Sequence, residues 1–207
     1  MRRPLRPHQA TYGFRDAAGD PAGEERMELA RSEAGWRVAS RLELTRPLPL
    51  ATDLEWHLEP DLATRILYLS TRNAWGEEHR LELAITGNGV LASREAPDGP
   101  SQVEMGWGPE VELDHLGAAF TTILLARWDF AARPARRIRT VFIGAEDLVP
   151  EPLEHDYRVF ADAEGIVTVE RAAAIAGRAA TIRVAPGGVA LSYSGLFEVR
   201  EGWRLTG

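Results

Sequence analysis

Apolar and polar residues alternate with a period of two along most of this chain, a rhythm that predicts short, half-buried strands. Trp36, Val38, Ser40, Leu42 and Leu44 share one face of one segment, and Leu54, Trp56 and Leu58 share one face of the next. The pattern returns at Leu81, Leu83 and Ile85, at Ile138, Thr140 and Phe142, and at Tyr157 and Val159. It closes with Ile182 and Val184, then Val189, Leu191 and Tyr193. Turn-forming clusters separate these runs at residues 16–23, 87–89, 97–100 and 186–188, where Gly, Pro, Asn and Asp supply the required dihedrals. Helical spacing is scarce. Residues 172–180 hold either a short helix or a turn, because Gly177 interrupts them. Residues 114–127 form a long apolar run that fits neither period. The expected fold is all-β, a curved antiparallel sheet with little helix.

Residues 81–93 resemble residues 181–192, each reading as strand, tight glycine turn, strand. The chain is therefore either two similar halves, about 8–107 and 108–203, or one whose hairpins are alike by chance. No linker rich in Gly, Ser and charge divides it, so a single domain over residues 1–207 is expected.

Composition narrows the function classes. With 44% hydrophobic and 27% charged residues, the chain resembles ordinary globular proteins. Its net charge of −7 argues against a nucleic-acid partner. No apolar stretch approaches the ~18 residues of a membrane span. The basic start, Met1 to His8, is followed by polar residues 9–20 where a secretion signal needs an apolar core, so a cytoplasmic location is expected. The absence of cysteine excludes disulfides and thiolate chemistry. Lysine is absent too, so all 24 basic residues are arginine and Schiff-base catalysis is excluded.

Each candidate chemical motif has a plainer counterpart. Residues 87–92 spell Gly-x-Gly-x-x-Ala, but a nucleotide-binding turn must open a helix, and Val90, Leu91 and Ser93 read as a strand. Glu55, His57, Glu59 and Asp61 alternate along one strand and could face a divalent metal; opposite an apolar face they read as a solvated edge. Asp114, His115 and Glu154 could serve a hydrolase only by converging, and sequence neighbours on a strand point to opposite faces. Ser194 lacks the upstream glycine of a nucleophile elbow. Arg133, Arg136, Arg137 and Arg139 either grip an oxyanion or face solvent opposite Ile138 and Thr140, the second reading being preferred. No metal and no cofactor is expected. The aromatics Trp36, Trp56, Tyr68, Trp75, Trp107, Phe120, Trp128, Tyr157, Phe160, Tyr193 and Phe197 either fill a core or line a ligand cavity.

Three segments carry a family resemblance. Asp114, Phe120, Thr121, Leu124 and Arg127 stand in the register of an Asp, gap, Thr-Pro-Phe-Thr-Asn-Thr-Leu-Pro-Ile-Arg-Arg pattern, with Thr122 in the asparagine position. Gly188, Tyr193, Gly195, Leu196 and Phe197 match a Gly-Leu-Val-x-x-Tyr-Pro-Gly-Leu pattern, with Ser194 replacing proline. Asp61 and Arg65 match an Asp-x-x-x-Arg turn. The chain thus resembles the putative glycolipid-binding family from about Trp36 to Val199. That resemblance implies a spiral β-roll related to lipoprotein carriers, with a concave apolar surface. It implies non-enzymatic binding of a lipid or glycolipid-like amphiphile, each buried methylene contributing about 0.8 kcal/mol. Phe120, Tyr193 and Phe197 are expected to line the cup, with Trp56, Tyr68, Tyr157, Thr122 and Arg127 completing the ligand contacts. Asp114 and Arg127 either orient a polar head or, as preferred here, pair with each other. The alternative function is a protein-interaction module with a solid core.

Overall fold

A computed structural model describes residues 5–86, 89–105, 112–130, 132–163, 166–172, 179–185, 188–200 and 204–205. Trp107, the turn residues at 87–88 and 186–187, and the helix-or-turn segment at 173–178 lie outside the described residues. The first eight strands are β1 (His8–Arg15), β2 (Pro21–Ser32), β3 (Gly35–Leu44), β4 (Leu50–Leu58), β5 (Thr64–Arg72), β6 (Glu78–Thr86), β7 (Gly89–Glu95) and β8 (Ser101–Met105). After them come β9 (Glu112–Asp114) and the helix α1 (Ala118–Ala126). The chain continues with β10 (Ala135–Ile143), β11 (Pro150–Ala163), β12 (Ile166–Arg171), β13 (Ala180–Val184), β14 (Ala190–Tyr193), β15 (Phe197–Val199) and β16 (Arg204–Leu205).

All the described strands join one curved, unclosed sheet in the order β8-β7-β6-β5-β4-β3-β2-β1-β15-β14-β13-β12-β11-β10-β9, with β16 also pairing β1. The expected all-β, antiparallel architecture is what forms. Pairing is antiparallel except between β9 and β10, and successive hairpins keep neighbours in sequence adjacent in space. The two stretches of the chain meet where β1 pairs β15, Tyr12 opposite Val199. Residues 81–86 and 89–93 form one hairpin and residues 181–192 include another, β13 with β14.

The run at 114–127, which fitted neither period, is the helix α1 with its approach. All nine residues of α1 are buried. A helix covered on every side has no polar face, so the 3.6-residue signature vanishes from its sequence. It lies between two groups of core side chains. Phe120 and Ile123 pack with Leu29, Trp56, Leu67 and Leu83 from the first block of strands. Leu124 and Leu125 pack with Trp128, Tyr157, Val169 and Ile182 from the second. The helix is the joint of the core.

Its N-terminus is held by a side chain from the far end of the sequence. Gly117 is the N-cap and contributes no side-chain bond. Glu25 of β2 instead accepts the backbone N–H groups of Ala118 and Ala119. Those N–H groups have no partner inside the helix, and a carboxylate there also meets the positive end of the helix dipole. Burial nonetheless pushes the Glu25 carboxyl above its ordinary range, against the opposing pull of Ser40 and the two amides.

Candidate ligand-binding site

The space beside Phe120, expected to be hollow, is occupied. Its ring lies 5.1 Å from that of Trp56 and 5.1 Å from that of His115. Burial holds His115 neutral, its pKa pushed down to about 4, and its Nδ1 accepts the Gly117 N–H at 3.2 Å. Phe197 packs on Tyr12 and Phe14. Tyr157 meets Trp128 edge-on at 6.0 Å. Thr122 is buried, and its hydroxyl oxygen accepts the Ala190 N–H. Trp56 is buried, and its indole donates to Thr64. Of the eight ligand contacts expected from the sequence, five are therefore core, while Arg127 and Tyr193 are half-buried.

The expected pairing of Asp114 with Arg127 is corrected. Arg127 Nη1 donates to Glu112 Oε2 at 2.7 Å, and Asp114 Oδ2 accepts from Arg171 at 3.0 Å. The reason is geometric: Glu112 and Asp114 bracket Leu113 on β9, and the two carboxylates meet different cations. Arg171 also donates to the Tyr193 hydroxyl at 2.9 Å and to His155 Nε2. That last bond needs a neutral imidazole, and desolvation together with the guanidinium holds His155 down at about 4. Asp114, His155, Arg171 and Tyr193 thus form a polar joint linking β9, β11, β12 and β14. Their hydrogen bonds to one another all run through Arg171, and His155 Nδ1 has no hydrogen-bond partner among the described residues. Glu154 faces outward to Arg139 at 2.8 Å, away from Asp114 and His115. Two members of the basic cluster are engaged in this way, Arg139 with Glu154 and Arg137 gripping both oxygens of Asp156.

The sequence reading passed over both Glu25 and Arg171, yet each carries a signal. Glu25 shares the face of Met27 and Leu29 on β2, and Arg171 continues the face of Val167 and Val169 on β12. A charged residue in the apolar phase of a strand marks a buried polar contact.

The eighth expected residue, Tyr68, opens on a different place. An open trough of about 1040 Å³ runs over the face of β1 to β7 that points away from the core. Two cross-strand rows make its floor. In one, Gln9, Glu28, Ala39, Glu55, Tyr68, Glu82 and Ser93 stand opposite one another in register. In the next, Thr11, Arg26, Arg41, Asp53, Ser70, Arg80 and Glu95 do the same. Neighbouring side chains in a row stand about 5 Å apart, close enough for one small molecule to touch several. Arg37 bonds Glu55 at 3.1 Å and Arg41 bonds Asp53 at 3.3 Å. Tyr68, 41% exposed, offers a bare ring between Glu55 and Glu82. Carboxylate acceptors, guanidinium donors, small hydroxyls and one ring face suit a polyhydroxylated ligand. Among the described residues, no group of three or more histidines and acids gathers to hold a metal; Glu55 and His57 meet at 3.1 Å, and Glu59 turns to Arg65.

Comparison with known proteins gives the chain its family. The signature of the family described as "Putative glycolipid-binding" matches residues 17–199, and this chain belongs to that family. No curated protein matches it. Its fold is similar to that of a DUF1089 family protein from Pseudomonas aeruginosa, at 19% identity and a TM-score of 0.60, covering 84% of this chain and 91% of that one. It is also similar to a beta-barrel-like protein of the domain of unknown function DUF1849 from Brucella abortus. That match has 9% identity, a TM-score of 0.60 and coverage of 99% of both chains. At such identities the likeness is one of fold.

Proposed function

We propose that this protein binds, without transforming it, an amphiphile whose head is a sugar or a similarly polyhydroxylated group, and that the head seats in the trough around Tyr68. The family to which the chain belongs supports the ligand class. The observation that carries the seat is the exposed Tyr68 ring between Glu55 and Glu82 on the floor of an open trough. A sugar stacks its C–H face on such a ring while its hydroxyls reach Glu55, Glu82, Arg41 and Ser70 on either side. Each good hydrogen bond to a charged group contributes about 1.5–3 kcal/mol net of exchange with water, which suits recognition of a polyhydroxylated head.

Titration calorimetry with a short-chain alkyl glycoside tests this reading. Saturable binding is expected, weakened about tenfold or more in Tyr68→Ala, since an aromatic contact with its buried area contributes about 1–2 kcal/mol. No heat with any of a panel of glycosides, or binding indifferent to Tyr68→Ala, would remove the trough from consideration.

A second reading has its own observation. The core beside α1 is filled by Trp56, His115 and Phe120, as in an interaction module without a ligand. It predicts that glycosides and lipids leave the melting temperature unchanged.

A further inference from the structure

We propose that one rim of the sheet docks on the surface of a zwitterionic lipid bilayer, with Trp75 and Leu48 entering its interfacial layer. Trp75 is 67% exposed and Leu48 is 43% exposed. Both sit at hairpin tips, Leu48 between β3 and β4 and Trp75 between β5 and β6. Pairing of Leu44 with Leu50, Ala51 with Arg72, and Arg72 with Glu78 puts both tips at the same end of the sheet. At about 4.8 Å per strand, the two tips stand roughly 10 Å apart. The segment at 144–149 is tied to this end by Thr71 donating to the Ala145 carbonyl and Arg94 to the Asp147 carbonyl, and it adds the exposed Val149.

These tips are held ready. Asn73 Oδ1 accepts the N–H groups of Trp75 and Glu77, at 3.1 and 3.0 Å, and Gly76 closes the turn at φ 78°. Glycine meets that angle without strain, and the two bonds to Asn73 Oδ1 hold the turn. Leu48 stands between Pro47 and Pro49, whose rings fix their own φ. Exposed indole on a rigid tip matches the preference of tryptophan for the headgroup layer.

Charge selects the kind of surface. Near the tips, Arg46 lies close to Asp16 and Asp20, Arg72 pairs with Glu78, and Arg94 meets Asp98. Both signs are present with acids in excess, on a chain of net charge −7. An anionic membrane would repel such a rim, whereas zwitterionic headgroups offer both partners. The trough leads there: a smaller recess of about 280 Å³ shares Arg41, Asp53, Ser70 and Arg80 with it and reaches Arg72 and Glu78 at the foot of the Trp75 turn. A head held in the trough could keep its tail in the bilayer, which explains how a filled core serves an amphiphile. Docking itself does not rest on the trough reading.

Co-sedimentation with phosphatidylcholine vesicles at about 0.15 M salt, paired with quenching by brominated lipid, tests it. The protein is expected to pellet with the vesicles and to show quenching. Trp75→Ser should lower partitioning about tenfold or more and abolish most of the quenching, and Leu48→Ser should lower it less. Melting temperatures of both variants should stay within about 2 °C of the parent, as expected for exposed tips. Tyr68→Ala should leave vesicle binding intact, so failure of docking and failure of head recognition are separable. Protein that stays in the supernatant overturns the proposal, as does binding confined to anionic vesicles and removed by salt. Trp75-dependent self-association without lipid, seen by sedimentation velocity, overturns it in favour of a second copy of the chain.

Discussion

Leu54, Trp56 and Leu58 point into the core, whereas Asp53 and Glu55, one residue out of phase on the same strand, line the trough. The two faces of β4 differ in what they can tolerate. The core face touches α1, so a lost atom there leaves a cavity or an unpaired group. The trough face touches solvent, and its ion pairs are exposed, so each contributes little to folding. Stability should therefore read the first face and binding the second.

The largest expected effect is on the core face. Phe120→Ala should destabilise the protein by about 3–5 kcal/mol in a denaturant melt. A loss below about 1 kcal/mol would mean that Phe120 is not packed against Trp56, and would return it to the list of ligand contacts.

Acid should sharpen the contrast next. His115 has a folded pKa of about 4, below its ordinary 6.5, so the unfolded chain takes up the proton first. Stability from this group is complete above about pH 6.5 and is lost as pH falls toward 4, by on the order of 3 kcal/mol. His115→Gln should flatten that part of a stability–pH profile. Glu25 has the opposite sign. Its carboxyl is raised in the fold, so its contribution falls as pH rises above the ordinary carboxylate value and recovers on acidification. Glu25→Gln should remove the recovery and steepen the acid loss. Identical slopes in all three proteins would place neither group in the dry core.

The smallest expected stability effect belongs to the trough. Arg41→Ala and Tyr68→Ala should each leave the melting temperature within about 2 °C of the parent while weakening glycoside binding. A Tyr68→Ala variant that loses several kcal/mol would show that this ring is structural and the two faces are not functionally distinct.

Much of this comparison was legible in the sequence. Alternation at Trp36–Leu44, Leu54–Leu58 and Leu81–Ile85 marked both the strands and their buried faces. The motif around Asp114, Phe120 and Tyr193 pointed to the family. The helix was not legible, because Ala118 to Ala126 are buried on every side and no periodic polar face survives. Nor was the filled interior, because Trp56 and Phe120 read alike whether they line a cavity or close one. Long-range partners were hidden for a different reason: Glu25 meets Ala118 across 93 residues and Arg171 meets Asp114 across 57, and only the fold brings them together. The trough was half visible. Tyr68 stood among the expected contacts, but its neighbours Glu82, Arg41 and Ser70 come from strands whose register a sequence does not reveal.

The decisive measurement is an NMR titration of the isotopically labelled protein with a short-chain alkyl glycoside kept below its micelle concentration. Amide shifts should concentrate on Tyr68, Ser70, Arg41, Glu55 and Glu82, with Phe120, Thr122 and Leu124 unmoved. Shifts centred on α1, with the Tyr68 surface silent, would contradict the account and show a ligand entering the core.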